Sequence, residues 1–397
     1  MRILMLSLLY PPIQVGGAEK AANLLAEALV RAGHQVSVIS LHPGKDEVVE
    51  EMNGVRVYRL PLDNLYWPSF GSGKGHGPVA KLLWHLRDTW NPGAAVRVGR
   101  ILDIEKPEVV HSHVITGFSV SVWREVKKRK IRLVHTIHDY YLLCIRSILF
   151  RQGRACEQQC FQCRLGTAPA KKLSHSVDHV VAVSRFVLDI HRKFGHFNQV
   201  PGSVVYNIQA ARPAAAMERR AGETKLVFGY IGMISEAKGL RTLLSAMQSL
   251  NDPDWRLRIA GAGADDYVNE LKQQFADPRI EWLGYTASQP FFQSIDVLVV
   301  PSLWQDPLPY VVIECFAAGK ALIGAQSGGI PELGRLGRRV ATYPAGDTTE
   351  LARLMNEAMA DCDAWRSGGF ADSGSMSRFS EHEVTANYMK LYGIIEK

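Results

Sequence analysis

Residues 301–333 read PSLWQDPLPYVVIECFAAGKALIGAQSGGIPEL. The residues just before them, Ile295 to Val300, are β-branched and nearly all apolar, the pattern of a strand buried in a parallel sheet. A Pro-rich loop follows, then an apolar helix from about Val311 to Ala318 and a second short strand, Ala321 to Gly324. In an open α/β sheet, ligands bind beyond the carboxyl ends of the strands, where such a loop lies. Two carboxylates, Asp306 and Glu314, flank the turn into the helix. Each can accept hydrogen bonds from vicinal ribose or sugar hydroxyls. Leu308, Pro309 and Tyr310 open the helix, whose first N–H groups sit at the positive end of its dipole and suit a phosphate. Gly328-Gly329-Ile330-Pro331-Glu332 makes a second tight turn, where bare backbone lets a ligand come close. The competing reading is an ordinary βαβ unit with two surface acids.

The chain has 397 residues, enough for two domains, with 47% hydrophobic and 21% charged residues, the balance of a soluble globular protein. No apolar run reaches the ~18 residues of a membrane span. Met1 to Tyr10 is apolar, but no small-residue cleavage site follows, so it reads as a first strand and the expected location is the cytoplasm. Charge is uneven. Through Val205 there are 27 Lys and Arg against 16 Asp and Glu, and beyond it 19 against 23. A basic half can meet anionic lipid at the inner face of a membrane, a lipid-linked phosphate or nucleic acid, or simply be solvated.

From the start, the strand Arg2 to Ser7 leads through Gly16-Gly17-Ala18-Glu19 into an apolar-periodic helix ending near Ala32, and then into the strand Val36 to Ser40. The glycine loop lacks the G-x-G-x-x-G spacing of a dinucleotide fold. Residues 62–92 are rich in aromatics and glycine. Within them Val79 to Leu86 is amphipathic, with Lys81, His85 and Arg87 beside Leu82, Leu83 and Trp84. Such a segment suits a sugar acceptor, a membrane interface or the cap of a core. The strand Arg132 to Ile137 delivers His138-Asp139 at its carboxyl end. Cys144, Cys156, Cys160 and Cys163 follow in a polar insertion at about 140–166, spaced C-x11-C-x3-C-x2-C. Four thiolates can complete a structural zinc site; a redox or disulfide cluster and no joint role are the other readings.

Residues 208–224, rich in Ala, Arg and Pro, read as a linker. Lys225 to Ile231 opens a second βαβ series, followed by Gly232-Met233-Ile234-Ser235-Glu236-Ala237-Lys238-Gly239 and a helix from Leu240. A last helix carries Val384, Tyr388, Leu391, Tyr392 and Ile395 on one stripe.

Taken together, the acid pair Asp306 and Glu314 with seven residues between, the Gly-Gly-Ile-Pro-Glu turn, Lys238-Gly239 and Gly16-Gly17 resemble the signature of retaining glycosyltransferases of family 4. The family usually has Glu where this chain has Asp306, and Arg where it has Met233. The resemblance implies the GT-B fold: two Rossmann-like, doubly wound α/β domains facing each other across a cleft. The first would span 1–207 and hold the acceptor. The second would span 225–375 and hold the nucleotide-sugar, with 376–397 crossing back to the first. The implied reaction moves a sugar from a UDP- or GDP-sugar to a hydroxyl of a glycan or lipid-linked acceptor. It needs no metal cofactor, because helix dipoles and basic residues neutralise the leaving diphosphate. In that scheme His138, Asp306 and Glu314 serve the reacting sugar. Gly16, Gly17, Gly232, Lys238, Leu308, Pro309 and Tyr310 join Glu314 in holding the donor. Arg241 and Arg146 are candidate substitutes for the missing cation. A surface-polysaccharide or glycolipid role and peripheral membrane contact through the basic half fit the family; nucleic acid does not. A nucleotide-sugar epimerase and a catalytically weak binding subunit are the alternatives.

Overall fold

Ile3, Leu4, Met5 and Leu6 have essentially no solvent exposure, and strands pair on both sides of them. This computed structural model describes residues 1–13, 16–68, 76–209 and 226–393. Most of the expected linker, Phe70 and Ile395 therefore lie outside the described residues. Contacts divide the chain into two units: Met1–Leu149, Glu157–Ile208 and Glu381–Lys397 form the first, Phe150–Cys156 and Gln209–Ser380 the second.

The first unit is built on β1 (Arg2–Leu6), β2 (Gln35–His42), β3 (Val48–Met52), β4 (Val55–Pro61), β5 (Val109–Ser112) and β6 (Arg132–Ile137). The short hairpin β7 (Phe150–Arg151) and β8 (Arg154–Ala155) falls with the second unit, so the cysteine-bearing insertion is divided between the two. With β9 (His179–Ala182) and β10 (Gly202–Val204) the sheet order is β10-β9-β6-β5-β1-β2-β4-β3. All neighbours run parallel except β3 against β4. The edge strand β3, VVEEM, has no counterpart in the sequence reading. Its exposed Val48 and Val49 do not show the one-sided burial that marks a strand.

The last helix, Glu381–Tyr392, belongs to the first unit. Val384, Tyr388 and Tyr392 are buried in the cluster that holds Ile3, Met5, Leu25, Leu29 and Val134. Fully burying each large apolar side chain contributes roughly 1.5–3 kcal/mol. Direction is fixed by hydrogen bonds. The Tyr392 hydroxyl meets His111 Nδ1 at 2.7 Å, and the Tyr388 hydroxyl meets Thr136 Oγ1 at 3.1 Å. The Arg31–Glu381 pair is bidentate at 2.7 Å, but both side chains are about half exposed, so it adds little.

The second unit carries β11 (Val227–Ile231), β12 (Arg256–Ala260), β13 (Ile280–Gly284), β14 (Val297–Val300), β15 (Ala321–Ala325) and β16 (Val340–Tyr343). Their order is β13-β12-β11-β14-β15-β16, all parallel. All of β14 and β15 is buried, as continuous apolar runs in a parallel sheet should be.

Candidate active site

Both sheets contain a point where the chain reverses its direction of growth. In the second unit it lies between β11 and β14, which pair although β12 and β13 come between them in sequence. In the first unit it lies between β1 and β5. Ligands of open α/β sheets bind at such points, beyond the carboxyl ends of the strands.

In the second unit, β11 leads to a short 3-10 turn, Glu236–Lys238, and β14 leads to Asp306 and the helix Tyr310–Ala317. The Lys238 ammonium donates to Asp306 Oδ2 at 2.5 Å and lies 4.9 Å from the centroid of the Trp304 ring. Asp306 is buried, and Lys238 keeps 28% of its side-chain exposure. Backbone bonds join the two loops: Leu303 and Trp304 donate to the Ala237 carbonyl at 2.9 and 3.1 Å. Glu314 sits one turn into the helix and is half-buried. The helix has no side-chain cap at its start. Leu308 and Pro309 are buried before it, with Pro309 in the capping position. Pro309 has no N–H, so it shapes the helix entry and cannot donate to an anion.

Two glycines at this strand end are tied into the protein's own backbone. Gly232 donates its N–H to the Ala260 carbonyl at 3.0 Å, which leaves that donor to the neighbouring strand. Gly328 is required by the protein itself. Its φ is +56°, and a Cβ there would stand 2.0 Å from the Asp306 carbonyl oxygen. Gly329 donates to that same carbonyl at 2.8 Å, and Gly328 to Gln305 Oε1 at 2.7 Å. The glycine turn thus holds the backbone of Asp306. Gly328→Ala is expected to cost the unit about 1–3 kcal/mol by overpacking, on top of a left-handed penalty of roughly 1–2 kcal/mol. Gly284→Ala, at φ +66° with no atom within 4 Å of its Cβ, should lose only the left-handed penalty of roughly 1–2 kcal/mol. Thermal unfolding of the two variants checks the difference.

Met233, where the resemblance expects Arg, is 57% exposed. Arg241 does not stand in for it, because its guanidinium pairs with Glu270 at 2.6 Å and lies against Tyr267. Lys238 is thus the cation at this strand end that the resemblance assigns to the diphosphate.

In the first unit, Gly16 caps the helix Gly17–Arg31 after β1, and its N–H donates to Glu19 Oε2 at 3.0 Å. That N–H is therefore used within the chain. Glu19 is buried, and burial raises its carboxyl above the usual range. His138 follows β6. Its Nε2 lies 2.9 Å from Nδ1 of His113, which follows β5. The rings are stacked, and the His111 ring centroid lies 4.0 Å from that of His113. Burial pushes His138 down to about 4 and His113 well below its ordinary value, so both are neutral at pH 7. Asp139 is raised to about 6 by burial, against the pull of the Tyr141 amide at 2.9 Å. Sequence reasoning missed His113 and Glu19. The signal for His113 was the alternation His111-x-His113, which puts both rings on one side of β5.

Of the four cysteines, Cys144 and Cys163 are buried with sulfurs 3.7 Å apart. Cys160 is the capping residue of the helix Phe161–Gly166, which carries Cys163, and Cys156 falls with the second unit. Among the described residues no three of these side chains close on one point. On the helix Pro78–Thr89, Trp84 is buried and donates to the Tyr66 carbonyl at 2.9 Å, so it belongs to the core. The stripe turned outward is Val79, Leu82, Leu83 and Leu86, each between 49% and 68% exposed. Phe161 and Leu165, 69% and 66% exposed, stand on the neighbouring helix Phe161–Gly166.

Comparison with known proteins fits this arrangement. Residues 225–361 match the family of glycosyl transferases group 1, and residues 16–208 match the glycosyl transferase 4-like domain. A sucrose-phosphate synthase from Thermosynechococcus elongatus superposes with a TM-score of 0.74 at 18% identity, over 99% of this chain and 98% of that one. HepE of Anabaena, crystallised with UDP and glucose, gives 0.70 at 18% identity over 99% of both chains. The fold is therefore GT-B. A 42.6 kDa protein in the cps region of Klebsiella pneumoniae is 31% identical over 392 residues, 99% of this chain and 100% of that one. The chain belongs to the group 1, or family 4, glycosyltransferases, and it is a glycosyltransferase enzyme.

Proposed function

We propose that the enzyme transfers a sugar with retention from a UDP- or GDP-sugar to a hydroxyl of a glycan or lipid-linked acceptor during assembly of a surface polysaccharide or glycolipid. The observation that carries this reading is the Lys238–Asp306 pair beside an uncapped helix start, at the reversal point of a parallel sheet. Lys238 and the first turn of the helix Tyr310–Ala317 take the diphosphate. Glu314 accepts from the ribose or sugar hydroxyls, and Asp306 serves the sugar. The first unit is the acceptor's, with His138 as its catalytic group, neutral and oriented by His113. The cps-region relative and the UDP bound to HepE support the substrate class.

The test is transfer from a panel of nucleotide-sugars to lipid-linked and free acceptors, with product stereochemistry read by NMR. Retained configuration with a UDP- or GDP-sugar supports the reading. Sugar isomerised without acceptor would favour an epimerase. Nucleotide binding without turnover would favour a binding subunit.

The acceptor is read as lying at an anionic membrane surface in the cytoplasm. The apolar stripe of the helix Pro78–Thr89 faces solvent, and its one acid, Asp88, is buried. The basic residues Lys81 and Arg164 flank the exposed leucines and Phe161. An outward apolar face bordered by cations suits the lipid interface. Leu82→Glu with Leu86→Glu is expected to lower sedimentation with phosphatidylglycerol vesicles at least about tenfold. Turnover of a water-soluble acceptor should be unchanged. Equal sedimentation of variant and parent would remove this surface from the reading. Among the described residues no helix is long and apolar enough to cross a membrane.

A further inference from the structure

The sulfurs of Cys144 and Cys163 stand 3.7 Å apart, and neither is in a disulfide. A disulfide would bring them to ~2.05 Å. The observed distance is instead close to the edge of a metal tetrahedron: with metal–sulfur bonds of ~2.3 Å, two thiolates on one zinc lie about 3.8 Å apart.

Cys144 lies in a chain reversal, its amide donating to the Tyr140 carbonyl at 2.8 Å and its carbonyl accepting from the Ser147 amide at 2.8 Å. Cys160 is the capping residue of the helix Phe161–Gly166, three positions before Cys163, and its carbonyl accepts from the Arg164 amide at 2.9 Å. Two chain reversals thus carry the three cysteines, the C-x2-C pair on one and Cys144 on the other.

We propose that Cys144, Cys160 and Cys163 bind one thiolate-seeking divalent cation, zinc by preference, as a structural site. Among the described residues no three His, Cys, Asp or Glu side chains already surround a single point. Cys144 and Cys163 are at ligand spacing, and the half-buried Cys160 is the one that turns inward on binding. Each thiol gives up its proton to solvent as its bond to the metal forms. Three thiolates leave a fourth tetrahedral position for water or a further ligand. The site would tie the start of the helix carrying Phe161 and Leu165 to the loop after Leu143. It is independent of the proposed sugar transfer, since it shares no residue with that site.

The test uses the full chain purified in reductant and dialysed against metal-free buffer, with metal measured by mass spectrometry. About one zinc per chain is expected, falling close to zero in Cys144→Ser with Cys163→Ser and unchanged in Cys315→Ser. Cobalt(II) added to metal-stripped parent should give thiolate charge-transfer absorption and the intense visible bands of tetrahedral cobalt, which needs no variant to fold. In the metal-loaded parent, thiol alkylation should slow and recover on adding a chelator. Failure of the reduced parent to take up zinc or cobalt would overturn the proposal. So would metal retained by the double variant, iron with acid-labile sulfide in place of zinc, or a Cys144–Cys163 disulfide in freshly prepared protein.

Discussion

Lowering the pH from about 7 to about 5 is expected to strip several kcal/mol of stability from the first unit and leave the second nearly unchanged. His111, His113, His135, His191 and His196 are buried, and His138 is half-buried. Burial depresses all six: His135 and His191 to about 3, His138 and His196 to about 4, His111 and His113 well below their ordinary value. In the unfolded chain they protonate near ~6.5. Below that pH the unfolded chain binds protons that the folded unit refuses. The stability these groups hold is therefore complete above about 6.5 and drains as pH falls toward the folded values. Asp88 and Asp139 oppose this. Burial raises them to about 7 and about 6, so they take up protons in the folded unit first and add stability over the same range. Glu19, also raised by burial, opposes them further, so the balance is at most about four protons, or about 5 kcal/mol per pH unit, since each proton counts for about 1.4 kcal/mol.

A domain holds roughly 5–15 kcal/mol, so one to three pH units below ~6.5 exhaust it. None of the thirteen histidines falls in the second unit, which has no comparable acid response between pH 5 and 7. Calorimetry between pH 7.5 and 5 should show one transition falling steeply and one nearly still. Hydrogen exchange should place the lost protection in residues 1–208. Parallel movement of both transitions, or a first transition that does not fall by pH 5, would sink the account.

Histidines also show where sequence reading stops. The alternation of β-branched runs with apolar-periodic helices identifies two parallel sheets, because that pattern is local and repeats. Asp306, Glu314 and Lys238 are legible for a related reason: each follows a strand end, and the fold rule says where strand ends gather. What is not local stays hidden. His113 meets His138 only because β5 and β6 are neighbours, a fact of sheet order. The need for glycine at 328 shows only once Asp306 is seen to fill the space beside it. Pro309 sits in the right place but has no proton to donate. Trp84 reads equally as part of an acceptor surface, a membrane face or the cap of a core, and only the fold shows the helix turning its leucines outward and burying the ring. The cysteine spacing predicts a cluster without saying that the hairpin β7–β8 divides it.

Lys238→Ala is expected to reduce kcat/KM by about 10²–10³, the usual loss when one preorganised charge on a developing anion is removed. The same change also leaves the Asp306 carboxylate buried without its partner. For a fully buried pair that alone would cost ~3–5 kcal/mol; with 28% of the Lys238 side chain in solvent, about 1–2 kcal/mol is the appropriate figure. A loss of activity by itself is therefore ambiguous, and Asp306→Asn resolves it. Asparagine keeps a hydrogen-bond acceptor for the ammonium but removes the charge that competes with the diphosphate. If Lys238 neutralises the leaving diphosphate, Asp306→Asn should bind the nucleoside diphosphate several-fold more tightly, by up to about 1 kcal/mol, and still turn over more slowly because the sugar has lost its carboxylate. Lys238→Ala with Asp306→Asn should regain the melting temperature without regaining transfer. Were the double variant to recover activity together with stability, the pair would be a structural brace, and the diphosphate would have to be held by the helix start alone.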